Sequence, residues 1–341
     1  MTKTRFSVFV FVCTLSGGAA LFAEEAATVD HQDSVAPCAA CAAAGANDSG
    51  GCGCCSRSLV AGVEAVFLKP NIGGHDISYT DGANNYSGNQ FADFQRLEAS
   101  PRMWIGMQGP CWGIRGRYWT IDDDSHGGVV DLDAPTFLNM QSANACLDLH
   151  AYTVDLEVTR SLEFCNWSLL GSLGIRHAEL SVDESFHVLT EAQNIAVQTQ
   201  NSRFMQGTGL TGALEARKPL GDGGLALIGS LRGSVLWGQD RSASDNLLFT
   251  PGVAMAQVVE VKEDTPLYIM EFQVGLEWTH RLQCVATDVS LHAVFEYQRW
   301  TSPEATTYDY NQSLNNIATA GNSISTAVDF TGVAFGICFT R

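Results

Sequence analysis

Chemistry in this chain has three possible carriers: its cysteines, its histidines and its charged side chains. Cys38-x-x-Cys41 is followed by Cys52-x-Cys54-Cys55, and Cys111, Cys165, Cys284 and Cys338 stand singly further on. Thiols so grouped form disulfides in an oxidising compartment or bind a soft metal in a reducing one. The interval between the first two groups fits no standard zinc pattern. Gly207, Gly209 and Gly212 match G-x-G-x-x-G, but a dinucleotide cradle needs a strand before it and a helix after it. These glycines instead lie in an alternating stretch that runs into Arg217, Lys218 and Pro219, so they are expected to be strand glycines that admit curvature or leave interior space. H-E-x-x-H and G-x-S-x-G are both absent, and the 8 histidines are scattered. His150 and His292 fall on or near strand segments and are expected at a girdle or in an interior, not as bases. The acidic run of Asp122, Asp123, Asp124, Asp131 and Asp133, with Gly127, has some features of a calcium loop. It lacks the bidentate Glu at the last position and carries His126 where an Asx is usual, so a solvated acidic loop is expected. No catalytic, cofactor-binding or metal-binding set emerges.

Composition narrows the class. Only 16% of the 341 residues are Asp, Glu, Lys or Arg, against about 25% in an ordinary soluble domain. Apolar residues reach 45%, which excludes global disorder. Past residue 25 no uncharged apolar run of about 18 residues occurs, which excludes membrane helices. A net charge of −18 argues against nucleic acid, whose phosphates need a basic face. Lys3 and Arg5 precede an apolar stretch at 6–15, and small residues at 17–23 precede Glu24. This is the pattern of a cleaved signal peptide over 1–23; Val12 disfavours a lipoprotein site at Cys13. Residues 24–57 are Ala, Gly and Cys rich with almost no large apolar residue, and are expected to be a disordered tail.

From residue 58 the apolar pattern has period two. Tyr152, Val154, Leu156 and Val158 alternate with Thr153, Asp155, Glu157 and Thr159, and Tyr268, Met270, Phe272, Val274, Leu276 and Trp278 alternate with Glu271, Gln273, Gly275 and Glu277. Such alternation marks strands with unlike faces. Ten segments are expected, near 58–70, 97–108, 112–122, 146–160, 164–182, 203–218, 224–238, 265–280, 285–300 and 326–341. The connections between them alternate long and short. Alternating long loops and short turns, with an even strand number, are the plan of an outer-membrane barrel whose short turns and termini face the periplasm. Each segment meets the 9–11 residues a tilted strand needs to cross. The fold expected for 58–341 is therefore all-β: one antiparallel transmembrane barrel of about ten strands (8–12), with lipid as its surroundings. Trp104, Trp112, Trp119, Trp167, Trp237, Trp278 and Trp300 lie mostly near segment ends, where aromatic girdles sit.

Several stretches look like one known family. "VEAVFLKP" at 63–70, "PRMWIG" at 101–106, "WGIRGRYW" at 112–119, "DLEVTR" at 155–160, "GTGLTGALEARKPLG" at 207–221, "GLEW" at 275–278, "FEYQRW" at 295–300 and "FTGVAFGICFTR" at 330–341 together resemble the Legionella-type major outer membrane protein family. The resemblance implies an outer-membrane location and a pore or structural role, with no catalytic residues. It departs at the end, where Thr340 and Arg341 follow the last aromatic, Phe339.

The polar faces supply an interior charge set: Arg102, Arg115, Arg117, Arg176, Arg217 and Arg232 against Glu64, Asp155, Glu157, Glu215, Glu271, Glu277 and Glu296. Signs oppose between the third and fourth, fourth and fifth, and seventh and eighth segments, where facing charges attract. Two roles are open. The charges form a structural salt-bridge ladder filling a narrow barrel, or a constriction that selects small solutes or ions. Acidic loops would add a weak cation preference. In the first role the cysteines are expected to form disulfides within the tail, from the tail to the rim, or between molecules, to an envelope partner or a second copy in a cross-linked envelope layer.

Overall fold

Alternation of side-chain type along an extended chain builds strands here, and ten long ones carry it. The computed structural model describes residues 58–72, 76–81, 84–89, 96–126, 130–131, 140–164, 166–190, 195–250, 253–283, 287–302, 312–314, 317–319 and 327–341. The strands are β1 (Ser58–Ile72), β2 (Glu98–Gln108), β3 (Trp112–His126), β4 (Met140–Phe164), β5 (Trp167–Thr190), β6 (Ile195–Pro219), β7 (Leu225–Thr250), β8 (Val253–Leu282), β9 (Thr287–Thr301) and β10 (Ala327–Thr340). Each pairs antiparallel with its sequence neighbour, except that β1 pairs with both β2 and β10 to complete the ring; β3 and β4 meet from Trp112↔Arg160 to His126↔Cys146. The result is a closed ten-strand barrel, all-β, with no sheet edge left within the ring. Leu59 and Arg341 exchange both backbone hydrogen bonds, at 2.7 and 2.9 Å, so the first and last strands meet at one end.

That end carries the short turns at 109–111, 165–166, 220–224 and 283–286. In the third of these, Gly221 and Gly224 adopt φ of 81° and 77°, a region L side chains rarely enter. The opposite end differs from expectation. Within the stretches expected to be loops, 183–190 and 195–202 extend β5 and β6, and 239–250 and 253–264 extend β7 and β8, paired up to Leu189↔Ile195 and Thr250↔Val253. The alternation fades there because both faces carry polar residues: Asn201, Arg203, Asp240 and Ser242 point inward and are buried, while Asp183 and Arg241 point outward. A strand that leaves an apolar surrounding loses the contrast that announces it. Residues 76–81 and 84–89 join 312–314 and 317–319 in a separate four-stranded sheet. The expected signal peptide and Cys-rich tail lie outside the described residues.

The two faces of the barrel are inverted relative to a water-soluble protein. Large apolar side chains such as Ile114, Leu156, Ile175, Leu231 and Phe335 point outward and are exposed. The outward row of β8 runs from Tyr268 to Trp278; at ~3.4 Å per residue and ~45° tilt it is about 24 Å tall. Aromatic rows border this belt, with Trp112, Phe164, Trp167, Trp278 and Phe339 at the turn end and Tyr118, Trp237 and Tyr268 at the extended end. Three tryptophans depart from the girdle expectation. Trp104, Trp119 and Trp300 share strand parity with Arg102, Arg117 and Gln298 and point inward, Trp119 and Trp300 being fully buried.

Backbone glycines make room for this filling. A Cβ on Gly62 would stand 2.2 Å from Cζ2 of the Trp104 indole, whereas one on the outward Gly233 would meet nothing within 4 Å. We therefore expect Gly62→Val to lower barrel stability by about 1–3 kcal/mol, with Gly233→Ala near neutral, measured as urea unfolding midpoints of the refolded protein. Equal midpoints for the two variants would show that the indole is not held against Gly62.

Candidate functional site: the barrel interior

The thirteen charged side chains that alternation assigns to the polar faces stand at inward positions of the strands, and Asp123, Arg203 and Asp240 are buried further toward the extended end. Cross-strand register brings the first contacts together. Arg102 lies opposite Glu64 and bonds it at 2.7 Å. Arg176 lies opposite Asp155 and holds both its oxygens, Nε to Oδ1 at 2.6 Å and Nη2 to Oδ2 at 2.8 Å. Arg115 lies opposite Glu157 and donates from Nε at 3.1 Å and from Nη2 at 2.9 Å. Arg232 lies opposite Glu271, with Nε 3.9 Å from Oε2. Arg217 reaches from β6 to Glu277 on β8 at 2.6 Å.

Other contacts run across the barrel as chords. Arg102 on β2 bonds Glu296 on β9 through both Nη atoms. Arg232 on β7 bonds Glu157 on β4, Arg176 on β5 bonds Glu271 on β8, and Arg115 on β3 reaches Glu215 on β6 at 2.6 Å. Arg117 stands 3.6 Å from Glu271. Glu296 also accepts from Gln273 at 2.8 Å and Gln298 at 2.6 Å. The arrangement is a web, not only a ladder between neighbours. Gly174, Gly209, Gly332 and Gly336 stand opposite Glu157, Arg176, Glu296 and Glu64, leaving volume for the chords.

Within this set six guanidinium groups stand with seven carboxylates. His292 adds a seventh basic group, with Nε2 2.8 Å from Oε1 of Glu64, a contact that nothing in its own sequence neighbourhood announces. Its parity with Glu296 on β9 was the available signal. His150 points outward against Asp122 at 2.5 Å. Asp122 and Asp124 also project outward from β3 while Asp123 is buried, so this part of the acidic run is strand, not loop; Gly127 and Asp133 lie outside the described residues. Among the described residues no group of three or more His, Cys, Asp or Glu is placed to hold a metal ion.

Beyond the web, toward the extended end, the interior becomes apolar. Trp119, Trp300 and Phe330 pack mutually, with ring centroids 5.9 to 6.4 Å apart. Leu68, Ile121, Leu180, Met205, Leu236 and Ile269 fill the space around them. The indole N–H groups are satisfied, Trp119 donating to Ser100 Oγ at 3.1 Å and Trp300 to Gln298 Oε1 at 3.3 Å. Arg102, Arg176, Arg232 and Glu296, at the centre of the web, are at most 2% exposed. Toward the turn end, Glu215, Arg217, Glu277, Thr279 and Ser290 line a polar mouth, partly open. Cys338 faces this mouth and is a free thiol, as is Cys146. No disulfide joins Cys111, Cys146 and Cys338 to one another. Cys38, Cys41, Cys52, Cys54, Cys55, Cys165 and Cys284 lie outside the described residues.

These features define a closed β-barrel, apolar without and charged within. No family model matches the chain, so its likeness to the Legionella-type major outer membrane proteins rests on the short motifs alone, and no curated protein matches it. Among solved structures it is similar to the outer membrane protease OmpT of Escherichia coli, at 12% identity over 83% of this chain and 96% of that one, with a TM-score of 0.38. A major outer membrane protein of Thermus thermophilus has 11% identity, 84% and 100% coverage and a TM-score of 0.34. The toluene transporter TodX of Pseudomonas putida has 9% identity, 84% and 89% coverage and a TM-score of 0.34. Function is therefore read from the barrel's own residues.

The web makes unequal demands on its members. Arg102→Met would leave Glu64 and Glu296 buried with their shared cation gone, and is expected to cost about 3–5 kcal/mol or prevent folding. Arg217 is 36% exposed at the mouth, so Arg217→Met is expected to cost about 0–1 kcal/mol. Urea titrations followed by tryptophan fluorescence measure both; similar losses would remove the structural role assigned to Arg102.

Proposed function

We propose that the chain is an outer-membrane β-barrel with a closed interior, serving as a membrane anchor that holds its strand extensions and the four-stranded sheet outside the cell. The observation that carries this reading is the filling of the lumen by two successive layers, a charge web and an aromatic plug, whose central side chains are buried. An apolar belt about 24 Å tall between aromatic rows suits a bilayer core, and a closed ring leaves no ladder group unpaired in lipid. The turn end then faces the periplasm and the extended end the outside, as in barrels with short periplasmic turns and long outer segments. An enzymatic role has no support beyond the protease among the similar structures.

A small, weakly cation-preferring pore is the second reading. It is favoured by the polar, partly open mouth at the turn end and by the family resemblance. For conduction the web and plug would both have to move, against packing that holds Trp119 and Trp300 out of water.

Two measurements test the proposal. The refolded protein, with its heat-modifiable gel shift as proof of folding, is expected to stay silent in a planar bilayer with and without reductant; discrete conductance steps would move the assignment to the pore. Leu156→Arg, placed at mid-belt, is expected to lower folding stability in lipid vesicles by about 2–4 kcal/mol. A neutral effect would place that face in water.

A further inference from the structure

The two borders of the apolar belt carry opposite charge on their outward faces. At the extended end Asp122, Asp124, Asp148, Glu179, Asp183 and Asp329 outnumber Lys69, Arg241 and Arg299. At the turn end, besides the terminal Arg341, the outward basic positions among the described residues are Arg160 and Lys218, joined by His280, and these three each rest on an indole. Arg160 Cζ lies 5.1 Å from the ring centroid of Trp112, its cross-strand partner. Lys218 Nζ lies 5.3 Å from that of Trp167. His280 stacks on Trp278 at 5.6 Å with the planes 11° apart. Acidic residues near this end, Glu163, Asp222 and Asp288, sit at strand termini or in turns, and among the described residues none pairs with Arg160 or Lys218.

A cation held flat against an indole keeps its stem on the apolar wall and its charge at the polar boundary. Indole rings settle at headgroup depth, where an N–H meets ester and phosphate oxygens. The pair thus offers positive charge and an aromatic shelf at one depth, with no carboxylate paired to it among the described residues. The complementary group is a phosphodiester whose headgroup adds no cation of its own. We propose that Arg160 on Trp112 and Lys218 on Trp167 form two headgroup sites for an anionic phospholipid in the leaflet at the turn end. The proposal rests on the membrane-barrel reading above.

The test uses the full chain, refolded and verified by its heat-modifiable gel shift, then titrated in detergent with phosphatidylglycerol or phosphatidylcholine of the same acyl chains. Bound lipid is counted by native mass spectrometry. Each cation near a phosphate supplies about a five-fold preference, so each wild-type site is expected to favour phosphatidylglycerol by about five-fold. The preference should fall to near parity in R160Q/K218Q and should weaken as salt rises. W112L/W167L keeps both cations but removes their seat, and an intermediate preference is expected. Equal retention of both lipids by the wild type, or an undiminished preference in R160Q/K218Q, overturns the proposal. Failure of the verified wild type to enter lipid vesicles strikes the membrane-barrel reading itself, and the lipid sites with it.

Discussion

Charge buried away from water has to be paired, and the interior of this barrel is organised by that requirement. An unpaired guanidinium or carboxylate in a water-free interior is penalised by several kcal/mol. Glu296 meets Arg102, Gln273 and Gln298, while Asp155 is gripped by Arg176. Because every arginine of the central layer contacts carboxylates from more than one strand or across the lumen, the web ties strands that share no backbone ladder. Ten strands, long inward arginines and opposite-facing glycines fit one another: a wider ring would part the chords, and bulky residues in place of the glycines would block them.

The aromatic plug depends on the same closure. Trp119, Trp300 and Phe330 come from β3, β9 and β10 and meet only because the ring brings those strands around a narrow axis. Their burial removes apolar surface from water at about 25 cal/mol per Å², and it shields the web on one side. Polar layer and apolar layer therefore reinforce each other, the first fixing strand positions and the second lowering the polarity on one side of the ion pairs.

Outside, the solvent changes along the axis and the sequence changes with it. Within the belt, outward residues are large and apolar; past Tyr152 and His177 the outward row turns to Asp, Glu, His and Ser. The strands continue as strands beyond the belt because pairing with neighbours, not contact with lipid, holds them there. Tyr152 itself marks the boundary, its hydroxyl donating to Glu179 at 3.1 Å while its ring lies beside His150 and His177.

Much of this was written in the chain. Period-two alternation determines that ten segments are strands, that their apolar face is continuous and that thirteen charges share the other face, because side-chain direction in a strand depends only on residue parity. The same parity rule, applied to Trp104, Trp119, Trp300 and His292, would have turned them inward; position near segment ends pointed the other way for the tryptophans. The extensions of β5 through β8 were hidden because polar residues on both faces erase the contrast on which the periodicity depends. Tertiary structure alone decided which charges meet across the lumen. Arg232 finds Glu157 and Arg102 finds Glu296 only once the ring has closed to a particular width, since the reach of a side chain across a barrel is set by curvature and register, quantities that no single strand contains.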